Sequence, residues 1–224
     1  MDRPGTARRP AVIAFDVIET VFSLAPVRDA LTPLGVGVDL YFARLLRDGF
    51  ALAAAGDYRP FRDVARSALT AVAPQASDTQ HDSVIAAFGQ LPAHPDAQPA
   101  LAKLSENGAT VVTLTNSSAD MTTKLLQSAG LIQYVERTLS VDDAGTWKPC
   151  PRPYHHAADA LAHPPGEIAL VSAHAWDIHG ANRAGFVTGW CSRLESTYPS
   201  LFEPPDTAGP DLVTVADSLL ALPT

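Results

Sequence analysis

The stretch that decides the fold is AVIAFD, residues 11–16, an unbroken apolar run that stops at a carboxylate. Five consecutive apolar residues with no polar alternation describe a short strand buried on both faces, as in the centre of a parallel sheet. The texture changes directly afterwards. Between residues 26 and 91 the apolar positions recur at near-helical spacing. Leu40, Phe42, Leu45, Leu46, Phe50 and Leu52 form one stripe, and Phe61, Val64, Ala65, Ala68 and Leu69 form a cleaner one. Val84, Ile85, Phe88 and Leu91 form a third, and Pro26, Gly35, 56–60, Pro74 and Pro92 separate the pieces.

Beyond Pro99 strands and helices alternate. Strands are expected over 110–114, 135–141, 168–172 and 187–191, with helices over 119–129, 153–161 and 177–184. Residues 196–210 read as a Pro-rich loop, and 212–222 as a last strand and helical turn. Alternation of this kind implies an α/β fold with a doubly wound parallel sheet. The helical stretch then becomes an insertion after the first strand. The expected division is 1–24 with 93–224 as the core and 25–92 as a cap.

The 224 residues are 46% hydrophobic and 18% charged, which suits one α/β core carrying a small inserted subdomain. A formal net charge of −8 argues against a nucleic-acid partner, because phosphate binding needs clustered Lys and Arg. Apolar runs fall well short of the roughly 20 residues that span a bilayer, so no membrane association is expected. Residues 1–10 carry Arg3, Arg8 and Arg9 without an apolar h-region and read as a disordered leader, not a secretory signal. Cys150 and Cys191 suggest neither a disulfide framework nor a zinc site, and a cytoplasmic location follows.

In open parallel sheets ligands bind at the carboxyl ends of the strands. Those ends carry Asp16, Thr115 with Asn116, Lys148, and Ser172 with Asp177. A carboxylate nucleophile needs a fixed position, donors for a leaving group, and a partner that activates water. Taken singly, each of these residues is accounted for as a cap on the helix that follows. Four such ends in order favour a site.

The segments AFDVIETVF (14–22), LTNSS (114–118), WKPCPRPYHHAA (147–158) and LVSAHAWDIHGA (170–181) resemble the four motifs of the haloacid dehalogenase superfamily. More narrowly, they resemble its L-2-haloacid dehalogenase, or type II, branch. YFARLLRDGFALAAAGDYRPF (41–61) and YPSLFEPPD (198–206) extend the likeness over nearly the whole chain. The resemblance implies a Rossmann-like core under a helical cap, no cofactor and no metal, a small halogenated carboxylic acid as substrate, and a homodimer. It implies that Asp16 attacks C2 of a 2-haloalkanoic acid and carries the resulting ester until water releases a 2-hydroxy acid. Thr20 matches the residue that buttresses the nucleophile, and Arg44 the arginine that draws off halide. Thr115 and Asn116 match groups holding substrate carboxylate and halide, with Val17 and Ile18 beside them. Lys148 matches the lysine that keeps the nucleophile ionised, and Tyr154 a site tyrosine. Ser172 and Asp177 match the residues that position Lys148 and the hydrolytic water.

Most superfamily members transfer phosphoryl groups and resemble DxD in the first motif, where the second Asp protonates the leaving oxygen. Ile18 occupies that position here and moves no proton, and a halide needs none. A magnesium-dependent phosphatase or phosphonate hydrolase, and a catalytically idle binding protein, are the alternatives. The sequence departs from the branch at Ile18, at Glu19 where many members have glycine, at Ser23, and at His174 in place of an asparagine. His174 reads equally as a base or donor in the site and as a ring packed against Trp176.

Overall fold

Val12–Phe15 forms the first strand, β1, and its alternating side chains explain why the run contains no polar residue. In the computed structural model, which describes residues 7–224, Ile13 and Phe15 face one buried cluster and Val12 and Ala14 the other. A strand with a core on each side must be apolar at every position. β1 pairs in parallel with β2 (Thr110–Thr115) on one side and β4 (Ile168–Ser172) on the other. With β3 (Arg137–Ser140), β5 (Val187–Cys191) and β6 (Thr207–Gly209) the sheet has six parallel strands in the order β3-β2-β1-β4-β5-β6. The strand order reverses at β1, which makes the carboxyl ends of β1, β2 and β4 the place where a ligand binds in sheets of this kind.

The first four helices after β1 are α1 (Ala25–Leu31), α2 (Val38–Ala55), α3 (Phe61–Val72) and α4 (Asp78–Ala87). Thereafter α5 (Ala97–Glu106), α6 (Ala119–Ser128), α7 (Val141–Ala144), α8 (Pro151–Leu161), α9 (Ala175–Arg183) and α10 (Leu212–Leu220) alternate with the strands. Leu101, Leu104, Leu212 and Val215 cover one face of the sheet, whereas Tyr154, Ala157 and Phe186 cover the other. The doubly wound α/β architecture expected from the alternation is the architecture observed.

Some elements differ from the expectations. Leu212–Leu220 is wholly helical, with Asp211 accepting from the Thr214 backbone N–H at 2.7 Å, and the last strand lies earlier, inside the segment read as loop. Three residues give β6 too little pattern to read; Asp206 fixes it by accepting from the Thr188 N–H at 2.8 Å, a tertiary contact. Helix α5 escaped because Pro99 reads as a breaker. In the first helical turn its missing N–H has no intrahelical partner to lose. Of the leader, residues 1–6 lie outside the described residues. Arg9 is not loose: its N–H donates to Pro223 O at 2.7 Å and its guanidinium to Asn107 O at 2.8 Å. Among the described residues no helix is long and apolar enough to cross a membrane.

Helix α2 lies against the sheet's loops at unusually short range. A Cβ on Gly49 would sit 2.5 Å from the Trp147 ring, so only glycine admits this approach. Trp147 is fully buried, stacks on Phe61 with centroids 5.9 Å apart, and donates from its indole N–H to Arg59 O at 2.9 Å. One indole thus joins α2, α3 and the loop that precedes Lys148. Gly49→Ala should lower unfolding free energy by about 1–3 kcal/mol, the usual effect of overpacking, in urea denaturation. Gly89→Ala, where a Cβ meets nothing within 4 Å, should change it by less than about 0.5 kcal/mol.

Candidate active site

The carboxyl end of β1 delivers Asp16 into a pocket of buried polar groups. The loop after α7 carries Lys148 beneath it, and α9 brings in Asp177 from the opposite side. The Lys148 ammonium has no exposed surface. It donates to Asp16 Oδ1 at 2.9 Å, Asp177 Oδ2 at 2.7 Å and Leu114 O at 2.8 Å. An ammonium has three N–H bonds, and all three are used. The other oxygens are held as well. Thr20 Oγ1 donates to Asp16 Oδ2 at 2.7 Å and accepts from the Ala173 N–H at 2.9 Å. Tyr154 OH donates to Asp177 Oδ1 at 2.6 Å. Tyr154 reaches that far because residue 180 is glycine; a Cβ there would lie 2.5 Å from the phenolic oxygen.

Charge follows from this geometry. Burial pushes the Asp16 carboxyl up, but the Lys148 ammonium, His174 and the hydrogen bonds from Lys148 and Thr20 outweigh it, leaving Asp16 below the ordinary carboxylate range. Asp177 moves the other way. Burial and the neighbouring Asp16 charge raise it against the pull of Lys148. Burial opposes the charge on Lys148, and its two carboxylates restore and exceed what burial removes. The two carboxylates that share this cation thus titrate as one coupled pair, with Asp16 shifted down and Asp177 shifted up.

Asp16 opens on a cavity of about 20 Å³. Thr115, Asn116, Ser117 and His174 form its polar floor, and Ile18, Phe42, Leu46, Phe61 and Trp176 its apolar wall. The Asn116 side-chain oxygen accepts from the Lys148 backbone N–H at 2.9 Å, which turns its NH₂ group free for another acceptor. Thr115 and Asn116 are not caps, since Ser118 serves α6 by accepting from the Met121 N–H at 3.2 Å. Phe61 also lines a larger cavity of about 600 Å³ between α3, α4 and α6.

The structure therefore brings together Asp16, Thr20, Lys148, Asp177 and Tyr154, with Ile18, Thr115, Asn116 and His174 around the cavity. Three expected residues lie differently. Val17 is fully buried and off the cavity wall, and its carbonyl accepts from the N–H groups of Val21 and Phe22 at 2.9 and 3.0 Å. Ser172 supports His174 by accepting its backbone N–H at 3.1 Å, because Lys148 has no hydrogen left for it. Arg44 does not line the cavity; its Nε is buried without a hydrogen-bond partner on α2. Sequence reasoning missed Ser117, Leu46 and the closeness of Glu19 to His174. Only the glycine-to-glutamate departure at residue 19 hinted at the last.

A profile of the haloacid dehalogenase-like hydrolase family matches residues 7–185. The chain belongs to this family. It is 38% identical over 107 residues to (S)-2-haloacid dehalogenase 4A of Burkholderia cepacia, a match covering 48% of this chain and 46% of that one. The chain thus spans about half the length of the curated relatives it matches first. A longer match, 27% over 207 residues, covers 88% of this chain and 92% of haloacetate dehalogenase H-2 from Moraxella sp. strain B. Among solved structures, an L-2-haloacid dehalogenase superposes with a TM-score of 0.89 at 27% identity, covering 95% of this chain and 99% of that one.

Lys148→Met tests the electrostatics. It leaves two buried carboxylates without their cation, which should cost about 3–5 kcal/mol of unfolding free energy. With the ammonium gone, burial loses its largest opponent, His174 and Thr20 remain as the weaker ones, and the Asp16 pKa rises. The acid limb of kcat/KM should therefore move to higher pH, with the residual rate recovering as pH increases. An unmoved limb in a pH titration of the purified variant would remove Lys148 from control of Asp16.

Proposed function

We propose that the chain is a hydrolytic 2-haloacid dehalogenase. A carboxylate held anionic in a buried pocket can act as a nucleophile, and the carbon it attacks must lose a group that departs without a proton. Ile18 beside Asp16 offers none. The single observation that carries the reading is the 2.9 Å contact between Lys148 and Asp16 at the strand-order reversal, with the opposite carboxylate oxygen oriented by Thr20. The names of the relatives agree with it.

In this reading Asp16 attacks C2 of a short 2-haloalkanoic acid in line with the carbon–halogen bond. The halide leaves with its electron pair, and C2 inverts and becomes esterified to Asp16. Thr115, Asn116 and the backbone N–H groups at the end of β1 beside Val17 hold the substrate carboxylate and halide. Water then attacks the ester carbonyl, releasing the 2-hydroxy acid and restoring Asp16. Tyr154 and Asp177 keep Lys148 in place, and Ser172 steadies the α9 loop. A cavity of about 20 Å³ holds no more than a water molecule, so substrate needs the helical segment 25–92 to open as a cap over the core. On closing, the unpartnered Arg44 Nε is available to the departing anion. A cytoplasmic setting fits the two free thiols, Cys150 and Cys191.

Halide release from bromoacetate and 2-chloropropionate checks this directly. Wild-type enzyme should release halide stoichiometrically with 2-hydroxy acid, and Asp16→Asn should release none while retaining the wild-type circular dichroism spectrum. Hydrolysis of p-nitrophenyl phosphate with magnesium, and no halide from either acid, would place the chain with the phosphatases instead.

A further inference from the structure

His174 is the buried titratable group at the site whose work the steps above leave unassigned. Its Nε2 lies 3.2 Å from Ile18 O, 3.6 Å from Glu19 Oε2 and 3.8 Å from Asp16 Oδ2. All three neighbours accept and none donates, so Nε2 carries a hydrogen. The ring cannot swing away. It stacks on Trp176 with centroids 5.1 Å apart, has the Phe42 ring 6.4 Å away, and is tethered through its backbone N–H to Ser172.

Glu19 is held in an unfavourable backbone conformation at φ 66°. A non-glycine residue in the left-handed region costs on the order of 1 kcal/mol or more, and such strain persists where surrounding structure over-determines it. Its N–H is fixed to Phe22 O at 2.7 Å, and the turn aims the carboxylate at the imidazole. Burial and the Asp16 charge raise its pKa against His174, with Asp39 and Arg28 completing its charged surroundings. Its side chain keeps 18% of its surface open, so it joins the closed site to solvent.

Hydrolysis of an ester on Asp16 needs a proton on the departing oxygen and delivers one proton overall. Lys148 has committed all three hydrogens, and Asp177 is fully buried off the cavity, bonded to Lys148 and Tyr154. We propose that His174 and Glu19 are the proton-transfer pair of this second half-reaction, an inference that rests on the dehalogenase reading. Water bonds to Cγ of Asp16 and passes one proton to the Glu19 carboxylate. The bond from Cγ to the product oxygen then breaks. Its electron pair stays on that oxygen, which takes the Nε2 proton and leaves as the hydroxyl of the 2-hydroxy acid. The carboxylic acid left on Asp16 returns its proton to His174, and Glu19 discharges the other to solvent.

The test is a rapid-quench experiment with excess bromoacetate on wild type, His174→Phe and Glu19→Gln, reading bromide and the intact protein mass. His174→Phe keeps the stack on Trp176 and removes the donor. It should release one equivalent of bromide per site at a rate near wild type, then turn over on the order of 100-fold more slowly, with the ester adduct accumulating. Glu19→Gln should show the same split, more weakly. The burst itself reports a folded variant. Burst and turnover slowed equally with no adduct would mean a structural role, and unchanged turnover in both variants would mean none; either result overturns the proposal. Wild-type enzyme that forms no adduct and releases no bromide removes the dehalogenase reading, and the pair with it.

Discussion

One ammonium group between two buried carboxylates is the constraint on which the rest of the molecule depends. Lys148 has no exposed surface, and a buried charge is tolerable only when its hydrogens are all bonded and its charge is matched. Three elements far apart in sequence must therefore converge within hydrogen-bond distance: the end of β1, the Leu114 carbonyl on β2 and the first turn of α9. The parallel sheet places two of them as adjacent strands, and Gly180 lets Tyr154 close the arrangement by removing the Cβ that would block it. The same convergence gives Asp16 its chemistry. Burial at this depth favours the protonated form, and the ammonium keeps the carboxyl ionised.

The helices between β1 and β2 supply what the sheet cannot. Phe42, Leu46 and Phe61 complete an apolar wall over Asp16, and the Gly49–Trp147 approach fixes α2 against the loop that carries Lys148. Burial strengthens each interaction inside the pocket and leaves the Asp16 carboxylate poorly solvated. Phe50 meeting Trp176 edge-on at 4.9 Å, and Tyr58 bonded to Asp142, join the same helices to the strand-end loops. Aromatic contacts thereby tie the segment between β1 and β2 to the loops around Asp16.

Much of this was legible in the sequence where the physics is local. The apolar run before Asp16 marks β1, and Ile168–Ser172 and Val187–Cys191 coincide with the strands read from pattern. Of the strand-end residues, Asp16, Thr115 and Asn116 line one cavity, while Lys148 bonds to Asp16 and Asp177 behind it. What was not legible depends on tertiary contact. β6 exists because Asp206 finds Thr188, and the Val17 carbonyl closes a turn by accepting from Val21 and Phe22. Ser172 could be matched to a site by motif, yet only the hydrogen count at Lys148 shows that its partner is His174. Pro99 misled for a related reason, since a proline ends a helix in its middle and is harmless in its first turn.

If Asp16 forms the ester, one of its oxygens enters the product. Single-turnover hydrolysis of 2-chloropropionate by excess enzyme in ¹⁸O-labelled water measures this. Mass spectrometry should find the first 2-hydroxy acid free of label and the isotope retained in the Asp16 carboxylate. Label in that first product would mean that water attacks C2 directly, and that the anion held by Lys148 is not the nucleophile.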